Sequence, residues 1–298
     1  MIPLDPHDLV RPDVTIRYWT GGAAGDRTVL LLHGATLDHR AWSPQIEALQ
    51  VRFRLVVPDL RGHGESTGSF DFAAAVDDVL ALLDQLAAGR VVLVGLSLGG
   101  NLAQEVVRRA PDRVSALVIA DATCNTGTRH PLATSMTVAA LSTHALLPGD
   151  HFARQTAQMM ALDSQVQRYA LEANAHRSNR ETVRILTSLL TGALRPQQDY
   201  RLPVPALLVH GQLDHLGDIA LTTRAWAQRE PLAEYAVIPA AGHASNLDNP
   251  AAFNAALLAF LDRALPANGE NEPPSPTATR PANGPNVGRG SRTDTGPG

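Results

Sequence analysis

Short, nearly unbroken apolar runs alternate with longer stretches of helical periodicity along this chain. Residues 29–33 (VLLLH), 55–58 (LVVP), 91–95 (VVLVG), 116–120 (ALVIA), 206–210 (ALLVH) and 235–239 (YAVIP) read as strands. Runs apolar at every position predict strands buried on both faces, as in a parallel sheet covered by helices. Residues 14–19 (VTIRYW) alternate instead, which predicts a half-exposed antiparallel edge strand. Between the runs lie amphipathic helices. Val76, Val79, Leu80 and Leu83 form one apolar stripe, with Asp71 placed to cap it. Phe253, Leu257, Phe260 and Leu261 form another, after Asn249 and with Pro250 at the first helical position. Strand–helix alternation of this kind predicts an α/β sheet with right-handed crossovers.

Two segments break the alternation. Residues 125–200 contain helical patterns, at 141–147, 152–162, 166–171 and 183–190, and no convincing strand. About 75 residues exceed what a single crossover needs, so this insertion reads as a lid or cap. Its methionines, Met136, Met159 and Met160, together with its leucines, suggest an apolar acyl or ring pocket. Residues 266–298 hold 7 Pro and 6 Gly and almost nothing large and apolar. Such a segment cannot offset its ordering entropy and is expected to be disordered.

Composition narrows the function. With 298 residues and 44% hydrophobic content, the chain can bury a sizeable core. A net charge of −4 argues against a nucleic-acid binder relying on bulk positive charge. Every basic residue other than histidine is Arg, which excludes Schiff-base and phosphate-loop lysine chemistry. The one cysteine, Cys124, excludes internal disulfides and cysteine-rich metal sites and fits a reducing compartment. No run of about 20 apolar residues exists, and the first ten residues lack a signal-peptide pattern. A soluble cytoplasmic protein without membrane or nucleic-acid partners is expected.

The chemistry lies just past the strand ends. Gly95-Leu96-Ser97-Leu98-Gly99-Gly100 follows an apolar strand and opens a helical pattern. A G-x-S-x-G sequence in that context places the serine on a tight, strained turn. A serine hydroxyl needs a histidine to take its proton and an acid to orient that histidine. Ser97, Asp214 (in His210-Gly211-Gln212-Leu213-Asp214) and His243 (in Gly242-His243-Ala244) supply this set. Asp121, past the strand 116–120, rivals Asp214 as the acid. The N–H groups of Leu98 and of Ala35, in His33-Gly34-Ala35-Thr36, are the expected oxyanion donors. His33 is read as organising its turn, and Asp59-Leu60-Arg61-Gly62-His63-Gly64-Glu65-Ser66 as a hydrogen-bonded polar turn. Neither HExxH nor a cysteine cluster is present, so no metal or cofactor is expected.

The segments HGAT, DLRGHGES, GLSLGG, HGQLD and AGH, in that order, resemble those of the α/β-hydrolase superfamily over residues 14–264. The resemblance implies a mostly parallel eight-stranded sheet flanked by helices, with a helical cap inserted after strand six. It divides the chain into a core of residues 1–124 and 201–265, a cap of 125–200 and the tail. Ser97 departs from the aspartate nucleophile of haloalkane dehalogenases and epoxide hydrolases, and HGAT from the HGGPG of proline iminopeptidases. Carboxylesterases, enol-lactone hydrolases, carbon–carbon bond hydrolases and cofactor-free perhydrolases are closest in character. The expected activity is cofactor-independent hydrolysis of a small apolar ester, lactone or thioester through an acyl-enzyme on Ser97. Carbon–carbon bond hydrolysis, lyase or cyclase chemistry on the same residues, or a slow-turnover ligand receptor, are the alternatives. A homodimer is compatible with any of these.

Overall fold

A computed structural model describes residues 4–25, 27–127, 131–146 and 149–265, without the side chains of 131–133. The expected disordered tail lies outside the described residues. The strands are β1 (Asp5–Arg11), β2 (Val14–Gly22), β3 (Thr28–Leu32), β4 (Arg54–Pro58), β5 (Val91–Leu96), β6 (Val114–Ala120), β7 (Ala206–Gly211) and β8 (Ala233–Ile238). They form one eight-stranded sheet in the order β1-β2-β4-β3-β5-β6-β7-β8. β2 runs antiparallel to both β1 and β4, and every pairing from β4 to β8 is parallel.

The helices are α1 (Ser43–Leu49), α2 (Phe72–Gln85), α3 (Leu98–Arg109), α4 (Pro131–His144), α5 (His151–Met160), α6 (Ser164–Asn174), α7 (Asn179–Gly192), α8 (Ile219–Arg229), α9 (Ser245–Asp248) and α10 (Pro250–Ala264). Successive side chains on a strand point to opposite faces, and the two cores follow that period. Leu30 and Leu32 of β3 pack with Val76 and Val79 of α2 and Leu102 and Val106 of α3. Val29 and Leu31 pack on the other face with Ile46 of α1 and Phe253 and Leu257 of α10. Each such buried side chain contributes about 1.5–3 kcal/mol. Asp71 caps α2 by accepting from the Ala74 N–H, and Asn249 caps α10 with Pro250 in its first turn.

Both sheet edges differ from expectation. β2 is not an edge strand, because β1 covers it through pairs from Asp5↔Thr20 to Arg11↔Val14. β1 (DPHDLVR) is exposed at most positions, so it carries no apolar alternation to reveal it. β8 is the opposite edge, where Tyr235 and Val237 stay 36% and 42% exposed rather than buried on both faces. Among the described residues, four helices, α4 to α7, and no strand lie between β6 and β7. Among the described residues no helix is long and apolar enough to cross a membrane.

Candidate active site

Parallel pairing places the loops after β3, β5, β6, β7 and β8 along one sheet edge, where open α/β sheets hold their sites. Leu32 pairs with Gly95, which sets the Gly34–Thr36 segment beside Ser97. Ser97 takes φ +50 and ψ −113, a left-handed conformation costly for a residue with a side chain. Its N–H donates to the Ala120 carbonyl at 2.8 Å. The surrounding glycines are required by close approach. A Cβ on Gly95 would lie 2.3 Å from the Gly99 carbonyl oxygen, and one on Gly99 only 2.0 Å from that of Leu32.

Three sequence-derived residues form one hydrogen-bonded chain. His243 Nε2 lies 2.9 Å from Ser97 Oγ, and its Nδ1 lies 3.0 Å from Asp214 Oδ2. Asp214 Oδ1 accepts from the Leu216 N–H at 2.9 Å. Asp214 and His243 are buried, while Ser97 keeps partial exposure. With the carboxylate facing Nδ1, the proton sits on Nδ1 and Nε2 is free to accept from the serine. Burial pulls the His243 pKa down, but the hydrogen bond and charge of Asp214, with the charge of Asp121, outweigh it and leave the imidazole above its ordinary value. The Ala35 and Leu98 N–H groups, both on buried residues, have no protein acceptor among the described residues. Leu98 is the first residue of α3, whose aligned N–H groups favour negative charge at that end.

Asp121 occupies a different place from Asp214. Its Oδ1 accepts from the Gly211 N–H at 2.8 Å, and its Oδ2 accepts from the Ser245 N–H at 3.2 Å and hydroxyl at 2.5 Å. It therefore ties the end of β7, which leads to Asp214, to the segment just after His243. Burial, reinforced by the charge of Asp214, pushes its pKa up to about 7.

Sequence reading missed three further sets of contacts. Asp248 accepts from the Gly242 N–H at 2.8 Å and from the Leu162 and Asp163 N–H groups, each at 3.0 Å. The Ala244 N–H donates to the Met160 carbonyl at 2.7 Å. Both residues beside His243 are thus fastened to the α5–α6 junction. On the other side, the Tyr169 hydroxyl of α6 donates to Asp38 Oδ1 at 3.0 Å and receives the Asp38 N–H at 3.3 Å. No motif marks Asp248 or Tyr169, since each acts on a segment about 85 to 131 positions away.

The polar turn after β4 is an internal brace. His33 Nδ1 donates to the Gly34 carbonyl at 2.8 Å, and its Nε2 accepts from the Leu60 N–H at 3.0 Å. Arg61 pairs with buried Asp78 at 2.6 Å. Asp59 accepts from the His39 and Glu65 N–H groups, both at 2.7 Å. Burial lowers the pKa of His33, and that of His63 strongly. Among the described residues, one cluster, Asp38, His39 and Asp59, brings three ligand-type atoms together. Arg40 and Tyr169 engage Asp38, and the His39 ring and amide engage Asp59, so the cluster is a hydrogen-bond hub. Of the apolar residues expected to line a pocket in the insertion, the methionines are divided between surface and core. Met136 and Met159 are 65% and 52% exposed, and Met160 joins the core.

A doubly wound sheet with a strained serine after β5, joined to a histidine and an aspartate from later strand ends, defines a hydrolase of the α/β type. The chain belongs to the alpha/beta hydrolase family, whose sequence model matches residues 29–256. It is 32% identical over 257 residues to the dihydrolipoyllysine-residue acetyltransferase component of an acetoin cleaving system from Pseudomonas putida, covering 83% of this chain and 66% of that protein. It is 29% identical to a pimeloyl-acyl-carrier-protein methyl ester esterase of Pectobacterium carotovorum, covering 82% of this chain and 97% of that one. The solved structure of a thermophilic esterase from Thermogutta terrifontis superposes with a TM-score of 0.73 at 26% identity, covering 87% of this chain and 99% of that chain.

Proposed function

We propose that the protein cleaves a small ester, lactone or thioester through an acyl-enzyme on Ser97, with residues 125–200 forming a cap over a core of residues 1–124 and 201–265. The observation that carries this reading is the unbroken chain Ser97 Oγ, His243 Nε2, His243 Nδ1, Asp214 Oδ2, with both links at hydrogen-bond length. The esterases among its relatives support the same reaction class.

Ser97 Oγ attacks the carbonyl carbon while its proton passes to His243 Nε2. Asp214 stabilises the imidazolium formed. The Ala35 and Leu98 N–H groups hold the oxyanion, a role in which one donor accounts for roughly 10²–10³ in turnover. Collapse of the intermediate breaks the bond to the alcohol or thiol, which leaves with the proton from His243. Water then gives its proton to the same nitrogen, attacks the acyl group and releases the acid. Every proton in this cycle moves through His243.

A fluorophosphonate probe should label the protein at one residue. Mass spectrometry should place the adduct on Ser97, and Ser97→Ala should abolish it. Persistent labelling of the alanine variant would move the nucleophile elsewhere.

A further inference from the structure

Apart from the serine site, the helical insertion encloses a cleft of about 950 Å³, walled by α5, α6 and the start of α7. Among the described residues, four charged side chains line it: Arg154, Arg177, Arg180 and Asp150. Asp150 and Arg154 pair with each other at 2.6 Å. That leaves two cations over. Among the described residues, neither Arg177 nor Arg180 has a carboxylate within ion-pair distance.

Arg177 is the less ordinary of the two. It is only partly accessible, and its acceptors are all neutral: Gly62 O at 3.1 Å, Ala173 O at 3.2 Å and Asn174 Oδ1 at 3.3 Å. Nε and Nη1 make these bonds, and Nη2 makes none among the described residues. Glu181, the acidic residue nearest in sequence, spends a carboxylate oxygen on the Ser178 N–H and hydroxyl in a capping box. Burial lowers the Arg177 pKa, and the distant charges of Asp38, Glu181 and Asp59 only partly counter this. A guanidinium withdrawn from water without an ionic partner is costly, and an anion in the cleft would remove that cost. The planar fork of arginine suits a carboxylate or phosphate in particular.

We propose that this cleft is an anion-binding subsite in which Arg177, with Arg180 at its rim, receives a carboxylate or phosphate group. Arg177 also joins the site to the body of the enzyme, because its Nε holds the turn after β4 at Gly62. The proposal stands apart from the reaction assigned to Ser97, so binding is measured on the Ser97→Ala chain, where no turnover intervenes.

The test is isothermal titration at low ionic strength with inorganic phosphate, glutarate and monomethyl glutarate in turn. At least one should bind, and Arg177→Gln should weaken it tenfold or more. Arg180→Gln, on the exposed rim, should weaken it a few-fold. If phosphate displaces monomethyl glutarate, the same cleft takes the free carboxylate of a half-ester. If phosphate or glutarate binds and the half-ester does not, the site takes a separate anion. Absence of binding by all three would overturn the proposal, as would equal affinity in the parent chain and both variants. Should Arg177→Gln fail to fold, Arg180→Gln decides alone, and unchanged affinity there would sink the idea.

Discussion

His243 is held between two carboxylates with separate duties. Asp214 faces its Nδ1 directly, while Asp121 braces the backbone on either side of the pair. Asp214→Asn should lower kcat by up to about 10⁴, since the amide favours the wrong imidazole tautomer. Asp121→Asn should retain most activity. Its amide can accept on one oxygen only, so one buried N–H loses its partner, at a cost of about 1–3 kcal/mol in stability. Thermal unfolding read beside kcat separates the two variants, and the opposite pattern would make Asp121 the acid. Protonation supplies a second readout. Only neutral His243 can accept the serine proton, so activity rises as pH passes upward through its pKa. Because that pKa lies above the ordinary 6.5, the acidic limb of the kcat/KM profile should fall above 6.5. Asp121→Asn removes a negative neighbour and should move the limb toward lower pH. That Ser97, Asp214 and His243 meet was legible in the sequence because a strained turn and a glycine-flanked histidine each constrain their neighbours. The partners of Asp121 were not legible, since only the register of β6 with β7 brings Asp121 to Gly211.

At the scale of elements, the insertion and the site share a seam. Asp248, at the end of α9, collects three backbone N–H groups, one from the histidine segment and two from the α5–α6 junction. Asp248→Ala releases all three and should cost about 2 kcal/mol or more, given charge-assisted bonds of 1.5–3 kcal/mol each. Loosening Gly242 also lets the imidazole drift from Ser97, and a shift near 1 Å can cost about 10²-fold in rate. The expected result is a lower Tm together with a loss of kcat of about 10–100-fold and slower fluorophosphonate labelling. A variant with lowered Tm but full kcat would reduce Asp248 to a structural contact. Elements buried on two faces were the ones the apolar runs revealed, namely β3, β4, β5, β6 and β7. Edge strands failed because one flank meets solvent: β1 was overlooked and β8 was read as fully covered. The insertion was legible as helices, but not in its surface, since helical periodicity does not say which face meets another helix and which meets water.

For the whole molecule, the order of strand ends decides the site, and the last described helix decides whether the sheet is covered. α10 buries Phe253, Leu257, Phe260 and Leu261 against the face formed by Val29, Leu31, Val92 and Val94. It ends at Ala264, and residues 4–265 hold every contact described for the site. Residues 266–298, by composition, bring no large apolar anchor to that face. A chain ending at Leu265 should therefore unfold at the same temperature as the full chain and turn over ester at the same rate. A chain ending at Ala256 loses Leu257, Phe260 and Leu261 together. Truncating single residues of this kind costs about 2–5 kcal/mol each, against a total stability of about 5–15 kcal/mol. That shorter chain should fail to fold, with exposed apolar surface detected by dye binding. The two truncations differ by nine residues, so circular dichroism and turnover on the pair test whether the fold closes at α10. A large loss of turnover in the chain ending at Leu265 would mean that the last 33 residues complete the active body.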